Sequence, residues 1–397
     1  MNVSVVNLGC KVNRVESDTI SLAYQSRGCE VTSPDDADII VVNTCTVTGE
    51  AEKKTRKTIR KLLRQNQEAK LLITGCAATI SPDELSALDP RVFIIDKAEL
   101  LADSTEALRI GETFPTRVGV KVQDGCNHSC TYCIVHVARG KAWSRPCEDI
   151  VTEVVFLAES GVKEVVLTGI DLGSYHFENQ SLVTLLRTLL EKTAHTDIRF
   201  RISSIEPCSV QKELIDLIAK SKGRICRHLH LPLQSGSSKV LKEMNRPYSS
   251  EYFLELCTDI KRQIPDISLS TDIIVGFPGE TDQDFQETLS LAKRVGFTKI
   301  HVFRYSKRQG TPAAQRLDQI SPEIKEQRAH ELSCLGNELR QAYAQAYIGT
   351  NQDVVIEQPG LGTTESYYKI VVSKDLPVNT KVILAPKGFN ERGVYES

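Results

Sequence analysis

The chain has 397 residues, 41% apolar and 25% charged, with a formal net charge of −2. Such a length exceeds one ordinary core and predicts two or three domains, and such a composition belongs to a globular protein rather than a disordered or fibrous one. No apolar run approaches the roughly 18 residues of a membrane span, and the near-neutral balance excludes a chain that coats nucleic acid by charge alone.

The opening MNVSVVNLGCKVN lacks the basic start and long apolar run of a signal peptide, so a cytoplasmic protein is expected. VSVVNL (3–8), DIIVVNT (38–44) and KLLITG (70–75) are short, β-branched apolar runs, and PRVFIID (90–96) is a fourth. Runs of this kind suit strands buried on both faces. Helical stretches near 16–27 and 48–66 lie between them, so residues 1–115 are expected to form an α/β domain with a Rossmann-like parallel sheet.

Each of the first three strands ends in a cysteine: Cys10, Cys45 and Cys76, spaced 35 and 31 residues apart. Ligands gather beyond the carboxyl ends of an open parallel sheet, so these thiols are expected to converge. The plainer alternative is three unrelated buried cysteines. Within the second helical stretch, EKKTRKTIRKLLR (52–64) places Lys53, Lys57, Arg60 and Arg64 at helical spacing, leaving Ile59, Leu62 and Leu63 to face the sheet. That basic face can neutralise RNA phosphates or simply stand in water.

From 116 to about 335, six strand-like runs recur with helices between several of them: GVKVQD, EVVLTGID, DIRFRISS, HLHLPL, STDIIVGFP and KIHVFRYS. They predict an incomplete (β/α)6 barrel with its site at the carboxyl ends of the strands. Just after the first of them comes DGCNHSCTYCIVHVARG (124–140), holding Cys126, Cys130 and Cys133 with no fourth cysteine in reach. A zinc site would need His128 or His136 as its fourth ligand. An iron–sulfur cluster on three thiolates would instead leave one iron open.

SPEIKEQRAHELSCLGNELRQAYAQAY (321–347) reads as a long helix capped by Ser321, with Pro322 in its first turn and Gly349 as its stop. The end of that helix and the tail make up the third part, 336–397. Here QDVVIEQ, YYKIVVS and TKVILAP predict a small antiparallel β-barrel. Twelve cysteines in a chain with no secretion signal point to metal binding, catalysis or burial rather than disulfides.

CNHSCTYC, with an aromatic residue before its last cysteine, resembles the radical S-adenosylmethionine (SAM) enzymes. ARGKAWSRP, VVLTGIDLGSY, RISSIEP, HLHLPLQSGSSKVLKEMNR and TDIIVGFPGETDQDF, joined to the three upstream cysteines, resemble the methylthiotransferases over nearly the whole chain. This resemblance implies that Cys126, Cys130 and Cys133 hold a [4Fe-4S] cluster whose open iron is chelated by SAM. It implies a second, auxiliary [4Fe-4S] cluster on Cys10, Cys45 and Cys76.

By the same resemblance Tyr132 and Ile134 flank SAM, and Gly169 gives its methionine end close backbone access. Ser204 and Glu206 hydrogen-bond its polar groups, while Gln234 and the IVGFPGE segment complete the pocket, with Val275 beside the adenine. The tail resembles a TRAM barrel that binds RNA, with Lys369, Lys374, Lys381, Lys387 and Arg392 on it. The other six cysteines (Cys29, Cys147, Cys208, Cys226, Cys257 and Cys334) are read as structural.

The reaction implied is replacement of an unactivated C–H by C–S–CH3, with SAM as both methyl donor and radical source. A sulfur source and an electron donor are implied as partners, with a monomer as the working unit. GCKVN and RISSIEP resemble the branch acting on N6-threonylcarbamoyladenosine beside the tRNA anticodon, where the isopentenyladenosine branch reads GCQMN. NRVESD also resembles the branch that modifies an aspartate of a ribosomal protein. VFRYSKR stands where relatives often read VFPYSPR, which adds Arg304 and Lys307 near the barrel rim. A noncatalytic, zinc-dependent RNA-binding module is the alternative of a different class.

Overall fold

The structure is a computed structural model that describes residues 1–46, 49–101, 116–390 and 394–396. Arg392 lies outside them. The first sheet is built from β1 (Asn2–Asn7), α1 (Lys11–Ser26), β2 (Glu30–Val31), β3 (Ile39–Thr44), α2 (Gly49–Gln65), β4 (Lys70–Gly75) and β5 (Val92–Ile94). Its order is β2-β1-β3-β4-β5 and every neighbouring pair is parallel. Ile40, Val41 and Val42 are fully buried in the middle strand, as a sheet covered on both faces requires.

α1 starts at Lys11, five residues before the helix expected from apolar periodicity. The missed turn carries Asn13 and leads into Glu16, and both are buried although polar. They face another part of the protein, a tertiary demand that no local pattern announces.

The partial barrel consists of six parallel strands in chain order, as two three-stranded sheets. β6 (Arg117–Lys121) pairs with Glu164–Thr168, and that strand pairs with Arg199–Ile202. His228–His230 pairs with Ser268–Val275, which pairs with Lys299–Arg304. A parallel bridge between Ser204 and His230 joins the two halves. Alternate residues such as Val165, Leu167, Phe200, Ile202, Leu269 and Ile273 enter one large core shared with the covering helices. Their neighbours, including Glu164, Arg199, Arg201, His228, His230 and Asp272, therefore face the lumen.

Among the described residues the two outer strands of this partial barrel are not paired with each other. α1 packs against β6 at that opening. Val15 comes so close that a Cβ on Gly119 would stand 2.4 Å from its methyl, so residue 119 must lack a side chain.

The long helix runs Pro322–Ala346, with the Ser321 hydroxyl accepting from the Ile324 amide at 3.4 Å. Six strands follow: Gln352–Gln358, Leu361–Thr364, Lys369–Val371, Lys381–Leu384, Gly388–Phe389 and Tyr395–Glu396. All neighbouring pairs are antiparallel except Lys369–Val371 with Tyr395–Glu396. Among the described residues the edge strands of this sheet do not pair with each other, so it differs from the closed barrel expected. Its last two strands, of two residues each, supply few ladder bonds for closure.

This sheet seats on the amino ends of the barrel strands. Arg199 and Arg201, both fully buried, reach Glu164 at 2.8 and 2.7 Å. Arg199 also donates to the carbonyls of Asp353 and Thr363 at 2.9 and 3.1 Å. Arg201 donates to those of Glu365 and Thr364 at 2.8 and 3.1 Å. Glu164, four carbonyls and, for Arg199, the Asp353 carboxylate at 3.2 Å thus satisfy two guanidinium groups removed from water, which is what makes such burial tolerable.

Candidate active site between the two cysteine sets

The loop after β6 begins at Gly125, which has φ +71°, and a Cβ there would meet the Lys141 carbonyl oxygen at 2.1 Å. Only glycine fits that turn. The turn delivers Cys126, whose amide donates to the Gly140 carbonyl at 3.1 Å. Each sulfur of the triplet receives one N–H. The His128 amide donates to Cys126 at 3.4 Å, the Val135 amide to Cys133 at 3.4 Å, and the Arg246 guanidinium to Cys130 at 3.3 Å.

Donors aimed at sulfur suit thiolates that carry negative charge into a metal cluster. Burial pushes the Cys133 thiol up to about 11 and that of Cys126 upward too, so binding a metal ion here releases protons. Among the described residues neither cysteine triplet draws its three sulfurs within 4.8 Å of one another. Thiolates on a single tetrahedral zinc would stand about 3.8 Å apart. The sulfurs of each triplet are therefore not gathered as a single zinc ion would gather them.

A cavity of about 260 Å³ opens beside this loop at the carboxyl ends of the barrel strands. Of the residues expected around SAM, Tyr132, Ile134, Ser204, Glu206 and Gln234 line it. Gly169 and Val275 do not. A Cβ on Gly169 would meet the Gln123 side chain at 2.8 Å, so its bareness serves strand-end packing, and the adjacent Ile170 and Asp171 reach the cavity instead. Val275 is fully buried in the helix-side core, and the alternation of its strand gives the cavity Ile274.

Several lining residues were not anticipated. His128 Nε2 lies 3.2 Å from Asp171 Oδ2, and that contact raises the His128 pKa against the opposing effect of burial. Arg246 pairs with Glu206 and donates to the Tyr248 hydroxyl at 3.0 Å. Burial raises the Glu206 carboxyl even so. Glu206 is therefore held by Arg246 rather than free to serve only a ligand. Asp272, Phe303 and Arg304 complete the wall.

The second cysteine set lies across from the first. Cys10 is exposed at the start of α1, Cys45 is buried just beyond β3, and Cys76 is buried as the first residue after β4. Burial raises the Cys76 thiol, with Cys45 and Cys10 close enough to add to the effect and Arg139 opposing it. The Cys10 thiol donates to Asn13 Oδ1 at 3.2 Å. The short helix after the first triplet, Val135–Arg139, packs against the one that begins at Cys76.

Arg139 closes this contact. It donates to Asp124 at 2.9 Å, to Asn13 at 3.0 Å and to Glu16 at 3.1 Å. Burial by itself would raise Glu16, yet Arg139, Lys97 and Lys121 hold it down to about 2. On the other side Arg308 pairs with Glu52 at 2.8 Å and with the Thr46 carbonyl, and Arg304 pairs with Glu50 at 2.6 Å. Arg304, expected only as added charge near the rim, is thus part of the contact with α2.

On α2 the side chains of Thr55, Ile59, Leu62 and Leu63 are buried. Lys53, Lys57, Arg60 and Arg64 are all exposed on the opposite face, joined by Lys54 and Lys61. None of the four has a carboxylate partner among the described residues. In the last sheet Lys374 and Lys387 are exposed, whereas Lys369 pairs with Glu357, and Lys381 with Asp353 at 3.1 Å. Of the six cysteines read as structural, Cys226 and Cys257 are buried and Cys208 and Cys334 are exposed. Among the described residues no helix is long and apolar enough to cross a membrane.

A partial parallel barrel with CxxxCxxC after its first strand is the architecture of a radical SAM enzyme, and the description "Radical SAM superfamily" matches residues 120–292. Residues 2–96 match "Uncharacterized protein family UPF0004". Among solved structures, the radical S-adenosylmethionine methyltransferase TsrM from Kitasatospora setae aligns with TM-score 0.57 at 14% identity, covering 79% of this chain and 77% of that one. The cobalamin-dependent radical enzyme OxsB aligns at 0.52 and 12%, covering 85% and 56%. These two likenesses concern the fold.

Sequence relatives go further. The threonylcarbamoyladenosine tRNA methylthiotransferase MtaB of Bacillus subtilis is 36% identical over 98% of this chain and 95% of its own length. That of Thermotoga maritima is 36% identical over 89% and 86%. The tRNA-2-methylthio-N(6)-dimethylallyladenosine synthase of Thermodesulfovibrio yellowstonii is 34% identical over 89% and 88%. The chain belongs to the radical SAM methylthiotransferase family. As such it is an enzyme that transfers a sulfur-containing group and uses a [4Fe-4S] cluster with SAM.

Proposed function

We propose that this enzyme methylthiolates carbon two of N6-threonylcarbamoyladenosine beside the anticodon of tRNA. The observation that carries the reading is the facing of two three-cysteine sets across the Arg139 contact. Removing hydrogen from an unactivated carbon and delivering sulfur to it are separate tasks, and each set answers one. Cys126, Cys130 and Cys133 would hold the cluster that binds SAM; Cys10, Cys45 and Cys76 would hold the auxiliary one. Together the bound groups would supply a deoxyadenosyl radical and a methylated sulfur.

The chain's own residues shape the space between. Tyr132, Ile134, Ser204, Glu206 and Gln234 would position SAM, and Arg139 and Arg308 hold the N-terminal sheet over the cavity, which keeps water from the reacting carbon. Lys53, Lys57, Arg60 and Arg64 would meet tRNA phosphates. The division would be 1–115, 116–335 and 336–397, the last part serving as a TRAM-like RNA-binding module. A cytoplasmic monomer supplied by an electron donor and a sulfur source completes the reading. The relatives' names favour threonylcarbamoyladenosine over dimethylallyladenosine, since the first kind is met at higher identity.

Mass spectrometry of tRNA nucleosides from cells with and without the gene tests the substrate. Loss of 2-methylthio-N6-threonylcarbamoyladenosine alone is expected; loss of the dimethylallyl product instead would overturn it. The auxiliary site is tested by Cys10→Ala. Deoxyadenosine formation should largely persist while methylthiolation stops and bound iron falls by roughly half. Methylthiolation by that variant would refute the assignment.

A further inference from the structure

Below the cysteine-lined cavity the barrel lumen meets a second polar group. His230 Nε2 lies 3.3 Å from Asp272 Oδ2, and the rings of His230 and His301 are 5.7 Å apart. Ser270 Oγ is 3.0 Å from both His228 Nε2 and His230 Nδ1. Asp272 also lines the cavity above, so the floor adjoins that cavity through this residue.

Lys11, the residue after Cys10, reaches this floor from the N-terminal domain. Its ammonium stands 4.9 Å from the centre of the Tyr367 ring, which in turn lies 4.9 Å from the His228 ring. The acids Glu164 and Asp272 of the lumen, and Glu357 and Asp353 of the sheet beneath it, are engaged by other partners. Glu164 is held by Arg199 and Arg201, Glu357 by Arg117 at 2.7 Å, Asp353 by Arg199 at 3.2 Å, and Asp272 by His230. Among the described residues Lys11 has no carboxylate partner, and its side chain is open to water. Burial would raise the Tyr367 hydroxyl, yet Lys11, Arg117 and Arg201 outweigh it and lower the pKa, the mark of surplus positive charge.

We propose that this floor is a carboxylate subsite, in which Lys11, with His301 beside it, receives the anionic end of the substituent on N6 of the target adenine. The inference rests on the function proposed above and adds a basis for its selectivity. A threonylcarbamoyl group ends in a carboxylate and a hydroxyl, whereas a dimethylallyl group ends in carbon. An apolar end would strip water from Lys11, His230 and Asp272 and return no hydrogen bond. A carboxylate returns charge-assisted ones, and Asp272 is already engaged by His230.

The test uses the reconstituted full chain and anticodon stem-loops bearing threonylcarbamoyladenosine, its methyl ester or plain adenosine, with binding read by fluorescence anisotropy. The wild type should prefer acid to ester by about tenfold or more. Lys11→Gln should erase that preference without weakening the adenosine stem-loop, and Lys11→Arg should restore part of it. Iron content reports whether the neighbouring cysteine set stays intact; if Lys11→Gln loses iron, His301→Asn must show the same loss of preference. Equal binding of acid and ester by the wild type, or equal weakening of all three stem-loops by the variants, overturns the subsite. An enzyme that methylthiolates the threonylcarbamoyl stem-loop yet binds acid and ester alike refutes only this inference. One that methylthiolates only a dimethylallyl stem-loop refutes the proposed function itself.

Discussion

Glu16 concentrates the electrostatics of the contact between the two cysteine sets. Its side chain is only 3% exposed and meets three cations, Arg139, Lys97 and Lys121. Its pKa is about 2 when folded, against an ordinary 4.5. The unfolded chain therefore binds this proton first as pH falls. The stabilisation is fully present above pH 4.5 and drains away between 4.5 and 2. Its size is about 3 kcal/mol. Replacing Glu16 with Gln should flatten the stability profile over that interval, as read by denaturant unfolding at a series of pH values. An unchanged slope would mean that the cations do not hold this carboxylate.

At the scale of the element, α2 divides its surface into two faces and one end. Its apolar stripe fixes it to the sheet, its acidic first turn meets Arg304 and Arg308, and its basic face is left to water. Changing Lys53, Lys57, Arg60 and Arg64 together to Ala should weaken tRNA binding and reduce the slope of log K against log salt by about 3. Helix content and melting should hardly move, because none of the four packs on the core. A salt slope unaltered by the quadruple change would place the RNA elsewhere. The face was legible because helical spacing is local. The acidic end was not, since Glu50 and Arg304 lie 254 residues apart.

Across the whole molecule, the barrel is closed at its two ends by different parts of the chain. The N-terminal sheet covers the carboxyl ends through Arg139 and Arg308, and the last sheet seals the amino ends through Arg199 and Arg201. Glu164 is shared by both buried arginines, so Glu164→Leu leaves Arg201 without its counterion and Arg199 with Asp353 alone, and should cost about 3–5 kcal/mol. Denaturant midpoints measure that loss, and limited proteolysis should then release the C-terminal sheet at lower denaturant than in the wild type. A variant with wild-type stability would show that the backbone carbonyls and Asp353 satisfy the two guanidinium groups without Glu164.

The sequence by itself determined four of the five strands of the N-terminal sheet, the six barrel strands, the long helix, the two sets of three cysteines and the family. Each depends on short-range information: a period of two or 3.6 residues, or a ligand type at a strand end. Only the tertiary structure decided what surrounds those ligands. Arg246 comes to Cys130 from 116 residues away, and Arg139 to Asn13 from 126. Both arginines stand in recognisable motifs, but the motif does not name the distant partner. Val275 and Ile274 look interchangeable in sequence, yet the pleat of one strand sends the first into the core and the second into the cavity. Long-range charge pairing and side-chain direction arise from how separate elements pack, and no stretch of sequence contains that geometry.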